Sequence, residues 1–205
     1  QLRISGGTKF KKVTINDNEF NKNSSGLNLQ PDANWSWKRN KDNQGYEVLR
    51  NKFTKTYGGI YARSGKYVIN DNIFIESPGI TYSGDWDSHK YEIKGNFFSK
   101  LKGNYAISNQ NIWNGRGDQA TITDNMFCSS STVALRLSAG SNSNIVAGKN
   151  YWNTTNRTHI QDYMIYDHFD DLNIKRNITF GVHTKKQAPW LTSSQIDGCS
   201  AEQVE

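Results

Sequence analysis

The chain contains few of the residues and runs that mark several common classes of protein. Of its 205 residues only three are proline, which excludes a long proline-rich disordered linker. No apolar run approaches the roughly 20 residues that a membrane-spanning helix needs, so no membrane span is expected. The sequence also has no zinc-ligand spacing and no serine-nucleophile elbow, which excludes two frequent kinds of site.

The charge is basic, with a formal net charge of +6. Such a balance favours anionic partners, namely an acidic polysaccharide, an anionic membrane surface or a nucleic acid. The lysines and arginines are dispersed, without an arginine-rich block or a nucleic-acid-binding motif. An acidic polysaccharide is therefore the expected partner, and no nucleic-acid partner is expected.

Six short segments of the chain are nearly alike. Each has a β-branched stretch, a polar turn, an asparagine, one spacer and an aromatic residue, at 13–20, 48–53, 68–74, 92–98, 121–127 and 145–152. They recur at intervals of roughly 20–30 residues, a period typical of solenoids and β-helices. Because a solenoid has a thin interior, the low hydrophobic content of 35% fits this architecture.

A second set of segments alternates apolar and polar residues, as strands with one buried face do. These segments are 2–5, 27–30, 60–63, 80–83, 105–108 and 135–138. Aligning them predicts one inward column of Leu2, Leu27, Ile60, Ile80, Tyr105 and Leu135. It also predicts an outward column of Arg3, Asn28, Tyr61, Thr81, Ala106 and Arg136.

The coil of two strands, an asparagine turn and a short aromatic strand resembles the right-handed parallel β-helix of pectate-lyase-like proteins. The resemblance implies an all-β, single-stranded parallel β-helix of about six coils. It also implies that the turn asparagines stack as a ladder, and the aromatic residues two positions later are expected to stack inside. The ladder would consist of Asn18, Asn51, Asn72, Asn96, Asn125 and Asn150.

The two ends of the repeat region differ. The first coil has no visible cap, so we expect either additional N-terminal coils or a partner chain over it, for example in a homotrimer. After the coils (1–152), the segment 153–186 is expected to form a C-terminal cap and 187–205 an irregular tail. Ile160, Tyr163, Met164 and Asp167 follow helical spacing, with Thr158 or Asn156 as the helix cap. The segment 151–171 is similar to the closing segment of NosD-like β-helix repeat proteins.

Four of the six tryptophans fall on loops that follow the first strand of a coil. A flat indole ring suits stacking on a sugar, and it also suits anchoring a loop on a neighbouring coil, so both interpretations stay open. We expect sugar contacts from Trp35, Trp37, Trp86 and Trp113.

The loop 84–90 is dense in titratable groups. Asp85, Asp87 and His89, together with Asp118 on a later loop, could supply the acid and base of a glycosidase. The aspartates could also bind calcium through oxygen ligands, and the same residues are ordinary in turns. The expected cofactor is therefore none, with calcium as the alternative.

The arginines on the outward columns are candidates for pairing with sugar carboxylates or sulfates. Arg63 and Arg136 occupy such columns, Tyr61 lies beside Arg63, and Arg116 lies in the loop of Trp113. An arginine fully solvated on the surface is the alternative interpretation for Arg63.

The region 46–127 is similar to coils of the alginate-lyase and chondroitinase B family of polysaccharide lyases. The family's Arg-His-Gly is matched by Arg63-Ser64-Gly65, with serine in place of histidine. Its catalytic lysine corresponds to Gln30, and its Gly-Ile-Arg corresponds to Gly79-Ile80-Thr81. An elimination lyase needs a base for the C5 proton, so the resemblance favours an acidic glycan more than lyase chemistry.

Together these features predict recognition of an extracellular acidic polysaccharide along the solenoid. A polysaccharide-cleaving enzyme and a structural spike or adhesin segment are the alternatives. Two cysteines, Cys128 and Cys199, leave open either one disulfide that ties the tail to the last coils or two free thiols.

Overall fold

A computed structural model describes residues 2–6, 12–22, 24–31, 45–84, 89–110, 119–128, 132–139, 141, 144–182 and 199. Most of this part of the chain is β-structure. The strands are β1 (Leu2–Gly6), β2 (Lys12–Asn16), β3 (Glu19–Asn21), β4 (Leu27–Pro31), β5 (Gly45–Leu49), β6 (Lys52–Thr54), β7 (Ile60–Arg63), β8 (Lys66–Asn70), β9 (Ile73–Ile75), β10 (Ile80–Ser83), β11 (Lys90–Lys94), β12 (Phe97–Ser99), β13 (Tyr105–Asn109), β14 (Gln119–Thr123), β15 (Met126–Phe127), β16 (Val133–Leu137), β17 (Asn144–Asn150), β18 (Ile165–Tyr166) and β19 (Thr179–Val182).

The strands form three parallel sheets, and each full coil contributes one strand to every sheet. The first sheet has the order β1-β4-β7-β10-β13-β16-β18, and the second has the order β2-β5-β8-β11-β14-β17-β19. The third sheet contains β3, β6, β9, β12 and β15. Every described pairing is parallel and joins successive coils, so the predicted parallel β-helix is confirmed.

The register of the first sheet differs from the prediction at one coil. Ile80 pairs with Ile107, which pairs with Leu135, so Ile107 rather than Tyr105 belongs to this inward column. Period-two alternation fixes the face of a residue but not its partner, and a shift of two residues leaves the pattern intact. Tyr105 instead pairs with Val133 and is only partly buried. The same shift replaces Ala106 with Ser108 in the outward column.

The asparagine ladder is confirmed. The backbone amide of each asparagine donates to the side-chain oxygen of the next, at 2.9 Å from Asn51 to Asn72, from Asn72 to Asn96 and from Asn96 to Asn125. Each side-chain amide also donates to a carbonyl of the preceding coil, as Asn96 Nδ2 does to Ile69 O at 2.8 Å. All members of the ladder after Asn18 are buried, so their side chains satisfy backbone groups that the turn removes from the sheets.

The predicted aromatic stack lies inside the coil, next to the ladder. Adjacent ring centroids are 4.7–5.4 Å apart along the series Phe20, Phe53, Phe74, Phe98 and Phe127. A second stack, which the sequence did not predict, joins Tyr46 to Tyr67 at 4.9 Å and Tyr67 to Tyr91 at 5.4 Å. The two stacks fill the interior with large flat side chains, so a narrow tube is still close-packed.

The last coils are closed by a short helical segment. Helix α1 (Arg157–His159) leads into a π-helix (Ile160–Met164), and the side chain of Asn156 accepts from His159 N at 3.1 Å as the helix cap. Ile160 and Met164 are buried as the spacing predicted, but Tyr163, which the same spacing placed with them, is 65% exposed. The helical conformation ends before Asp167, because Ile165 and Tyr166 join the first sheet as β18.

Asp167 holds the turn after β18 together. Its carboxylate is fully buried and accepts from Phe169 N at 2.9 Å and from Ile178 N at 2.7 Å. These two bonds tie the turn to the segment that enters β19, which extends the second sheet beside β17.

A disulfide joins Cys128 to Cys199 across 71 residues. Cys128 follows β15 at the edge of the third sheet, and Cys199 is fully buried in a small cluster with Phe97 and Met126. Of the two states that the sequence left open, the structure therefore has the disulfide, which fixes residue 199 against the third sheet.

Candidate functional site

The candidate residues divide into those that the structure describes and those outside its described residues. Eight candidates on the loops lie outside the described residues, namely Trp35, Trp37, Asp85, Trp86, Asp87, Trp113, Arg116 and Asp118. The described residues include the other four candidates, namely Tyr61, Arg63, His89 and Arg136. These four residues and their neighbours therefore define the geometry of the candidate site.

Tyr61 and Arg136 lie on one line along the outer side of the first sheet. Strand pairing places a column of six residues in register, which we call the first-sheet column: Asn28, Tyr61, Thr81, Ser108, Arg136 and Tyr166. The column runs along the solenoid axis, with successive members about 4.8 Å apart. It presents polar and aromatic groups in a straight line.

Arg136 is held between two aromatic rings. Its guanidinium carbon lies 4.4 Å from the ring centroid of Tyr105 and 5.7 Å from that of Tyr166. Both distances are within the range of a cation–π interaction. These contacts restrict the side chain in advance, so less conformational entropy would be lost when its planar fork of donors binds a carboxylate or sulfate.

Two other members of the first-sheet column have polar atoms without a partner among the described residues. The side-chain oxygens of Asn28 and Ser108 are buried and make no hydrogen bond there. A buried polar atom left unsatisfied costs about 1–3 kcal/mol. Such atoms call for an explanation, and a bound ligand or water is one.

His89 is bonded to the Arg63-Ser64-Gly65 turn at the end of β7. The backbone amide of Gly65 donates to His89 Nδ1 at 2.9 Å, and the carbonyl of Arg63 accepts from Tyr67 Oη at 2.7 Å. Since Nδ1 accepts a hydrogen bond, the neutral imidazole carries its hydrogen on Nε2. In this geometry His89 supports the Arg63-Ser64-Gly65 turn with Nδ1 and is a donor at Nε2.

A groove of about 590 Å³ lies on the outer side of the second sheet. We call it the lysine groove and define it by Lys12, Gly45, Glu47, Lys66, Lys90 and Glu92. Strand register places Lys12, Gly45, Lys66 and Lys90 in one column, while Glu47 and Glu92 belong to a parallel column two residues further along each strand. Sequence reasoning missed this groove, although each of the three lysines directly precedes the first inward residue of its strand.

The tyrosines behind the lysine groove are held in the neutral form. Burial raises the pKa of Tyr46 to about 12, and burial also raises the pKa of Tyr67 well above its ordinary value. The single hydroxyl hydrogen of Tyr67 is shared between Arg63 O at 2.7 Å and Leu29 O at 3.1 Å. The phenol of Tyr67 therefore acts as a structural donor from the second sheet to the first at neutral pH.

The described residues contain no cluster of three or more histidine, cysteine or acidic side chains that could hold a metal ion. The aspartates considered for calcium, Asp85 and Asp87, lie outside that part of the chain. No helix within the described residues has the length and apolar character needed to cross a membrane.

Comparison of the chain with protein-family models, with curated proteins and with solved structures finds no match.

Proposed function

We propose that the protein recognises an acidic extracellular polysaccharide that lies along the solenoid. The observation that carries the proposal is the guanidinium of Arg136, held between Tyr105 and Tyr166 on the first-sheet column. A restrained arginine pairs bidentately with a carboxylate or sulfate. The rings beside it offer flat faces for the C–H side of a sugar.

The rest of the first-sheet column supports the same ligand chemistry. Tyr61 and Thr81 of this column are partly exposed, and their hydroxyl groups match sugar hydroxyls, which both donate and accept hydrogen bonds. Because the column follows the solenoid axis, a linear polymer can contact several coils at once. The resemblance of the coils to pectate-lyase-like proteins belongs to this proposal as an analogy of fold, which does not by itself establish function.

The disulfide supports the extracellular part of the proposal. Disulfides persist in oxidising compartments and are rare in the cytosol. The bond between Cys128 and Cys199 closes a separation of 71 residues, and Cys199 is fully buried, as expected of a structural disulfide.

A glycan screen with two readouts tests the proposal. Polygalacturonate, alginate and chondroitin sulfate are each incubated with the protein, and dextran serves as the neutral control. One arm measures binding by calorimetry, and the other measures new reducing ends and the absorbance of unsaturated uronate. Binding without cleavage supports recognition, while cleavage would replace it with the enzyme alternative. If the protein neither binds nor cleaves any of these acidic glycans, the proposal is overturned and the structural spike is favoured.

Two variants locate the binding site. Arg136→Lys keeps the charge but loses the planar fork, so we expect affinity to fall by about tenfold, which corresponds to about 1.4 kcal/mol. Thr81→Val removes a partly exposed hydroxyl of the first-sheet column, so it should weaken binding without lowering the melting temperature. Arg50→Lys is the matched control, because Arg50 pairs with Asp17 at a turn away from the first-sheet column.

A further inference from the structure

We infer that the corner between the third and first sheets binds the sulfate groups of a sulfated acidic polysaccharide. We call this surface the basic corner, and its residues are Lys22, Lys55, Tyr57, Glu76, Lys100 and Lys102. The inference rests on the proposed function, because it names an anion within the same class of ligand. It also adds a surface to which the sequence assigned no candidate residue.

Strand register places four residues of the basic corner on one line along the solenoid axis. The strands of the third sheet pair in register at Asn21, Thr54, Ile75 and Ser99. The residues directly after these positions are Lys22, Lys55, Glu76 and Lys100. The amides of Lys55 and Glu76 continue the ladder, because they donate to Ile75 O at 3.0 Å and to Ser99 O at 3.1 Å. Neighbours on this line are therefore about 4.8 Å apart.

Tyr57 and Lys102 lie two residues beyond this line on their coils. Tyr57 N donates to Ser24 O at 2.9 Å, and Lys102 N donates to Ser77 O at 3.3 Å, so both turns are bonded to the neighbouring coil. The side chain of Tyr57 is 71% exposed, and Lys102 is exposed as well. The ring of Tyr57 therefore offers a flat face to a sugar, with ammonium groups beside it for the anions of that sugar.

The charge of the basic corner is not balanced. Its four lysines face one glutamate, and the Nζ of Lys55 lies 3.7 Å from Oε1 of Glu76. Lys22, Lys100 and Lys102 are exposed and form no ion pair with any residue that the structure describes. A cluster of such charges attracts anions.

The corner between the second and third sheets differs in this respect. There Arg50 pairs with Asp17 at 2.7 Å, and Lys94 pairs with Asp124 at 3.8 Å. Most of the basic side chains at that corner therefore have an acidic partner within the chain. The surplus of positive charge distinguishes the basic corner.

The residue type at the basic corner favours sulfate as the anion. A lysine ammonium is a compact point charge with three N–H donors and demands no planar partner, so it suits a tetrahedral sulfate. A planar carboxylate instead matches the guanidinium fork of Arg136. Glu76 interrupts the line of lysines, and it accepts hydrogen bonds from sugar hydroxyls but repels the regularly spaced phosphates of a nucleic acid. A sulfated sugar therefore fits this surface better than a nucleic acid does.

The basic corner borders the surface of the proposed function. Lys102 lies three residues before Tyr105, whose ring contacts Arg136. Three residues of chain span at most about 10 Å. A carboxylate at Arg136 and a sulfate at Lys102 can therefore belong to one polymer.

Calorimetry with chondroitin sulfate and with unsulfated chondroitin tests the inference, because the two polymers share their sugars and carboxylates and differ in sulfate. The wild type should bind chondroitin sulfate about tenfold more tightly, as several exposed ion pairs together provide. Lys100→Asn and Lys102→Gln should each weaken binding of chondroitin sulfate about threefold and leave binding of chondroitin unchanged. Asparagine is chosen at position 100 because Lys100 has a φ of 49°, a left-handed conformation that asparagine tolerates.

Three further variants separate the site from general attraction and from loss of folding. Lys149→Gln is the matched control, because it removes the same charge from an exposed lysine on β17, away from the basic corner. Tyr57→Ala should weaken binding of both polymers, since stacking acts on the sugar and not on the sulfate. Glu76→Gln removes the acid of the basic corner and should strengthen binding of chondroitin sulfate about threefold. Loss of folded structure does not increase affinity, so this gain is independent of stability.

The outcomes are distinguishable. If the wild type binds both polymers equally, or if Lys149→Gln weakens binding of chondroitin sulfate as much as Lys100→Asn does, the inference is overturned. The proposed function then stands as long as Arg136→Lys weakens binding of both polymers. If the wild type binds no acidic glycan, both are overturned. A single-stranded oligonucleotide forms a separate arm, and tighter binding of it than of chondroitin sulfate would show that the corner holds a different polyanion and that the inference is wrong.

Discussion

Asn96 accepts two hydrogen bonds from Asn72 with a single side-chain oxygen, from the backbone amide at 2.9 Å and from Nδ2 at 3.0 Å. The same pair of bonds recurs from Asn96 to Asn125. Each rung therefore depends on the next, and the turns between the second and third sheets form one continuous network.

The first prediction concerns this ladder. Asn96→Ala removes the acceptor of Asn72 and the donor to Ile69 O, so it leaves buried polar groups unsatisfied on two coils. We expect a loss of about 3–5 kcal/mol in the free energy of unfolding, measured by urea denaturation. Asn18→Ala is the control, because Asn18 is exposed at the end of the ladder, and it should cost less than about 1 kcal/mol. Equal losses at both positions would contradict the ladder as the source of stability.

The second prediction concerns the phenylalanine stack. Phe74 is fully buried, with ring centroids 4.9 Å from Phe53 and 5.0 Å from Phe98. Phe74→Ala should destabilise the protein by about 3–5 kcal/mol, because it removes buried area and leaves a cavity. Phe169→Ala removes the same atoms from a side chain that is 71% exposed and should change stability by less than about 0.5 kcal/mol. A small effect at Phe74 would mean that the neighbouring rings close the gap.

The third prediction concerns the disulfide. Replacing both Cys128 and Cys199 with alanine should lower the free energy of unfolding by about 2–4 kcal/mol, measured in urea without reductant. Adding reductant to the wild type should give a similar loss and should leave the double variant unchanged. Free thiols in the folded protein, detected by alkylation and mass spectrometry, would contradict the bond.

Much of the fold was predictable because its main determinants repeat in the sequence. The ladder asparagines and the aromatic residues two positions later recur in all six repeats, and each occurrence supports the others. The register at Ile107 was not predictable, since Tyr105 and Ile107 lie on the same face and alternation alone cannot choose between them. The tyrosine stack was missed for a related reason: Tyr46, Tyr67 and Tyr91 have polar hydroxyls, and their alignment appears only once the coils are in register.

The candidate site was less predictable than the fold. The sequence singled out Arg136 as an outward residue, but its two aromatic neighbours depend on the corrected register and on β18, which brings Tyr166 into the first sheet. Lys66 and Lys90 are 24 positions apart and become neighbours only in the coiled chain. A surface that crosses several coils is not continuous in sequence. The composition therefore indicated that the protein is basic, but it did not indicate which residues form the basic surface.

The last prediction concerns the alkaline stability of the protein and follows from the pKa of Tyr46, which burial raises to about 12. In the unfolded chain this phenol loses its proton near pH 10. Below pH 10 both states keep the proton, so Tyr46 contributes no pH dependence. Between pH 10 and 12 only the unfolded state ionises, and the free energy of unfolding should fall by up to about 1.4 kcal/mol per pH unit.

Urea denaturation of wild type and Tyr46→Phe at intervals from pH 8 to pH 11.5 measures this effect. The stability of the wild type should decline more steeply than that of Tyr46→Phe above pH 10, and the two curves should run parallel below it. Tyr163→Phe is the matched control, because it removes the same hydroxyl from a side chain that is 65% exposed. Parallel curves for wild type and Tyr46→Phe across the whole range would show that the Tyr46 hydroxyl ionises as readily in the folded protein as in water.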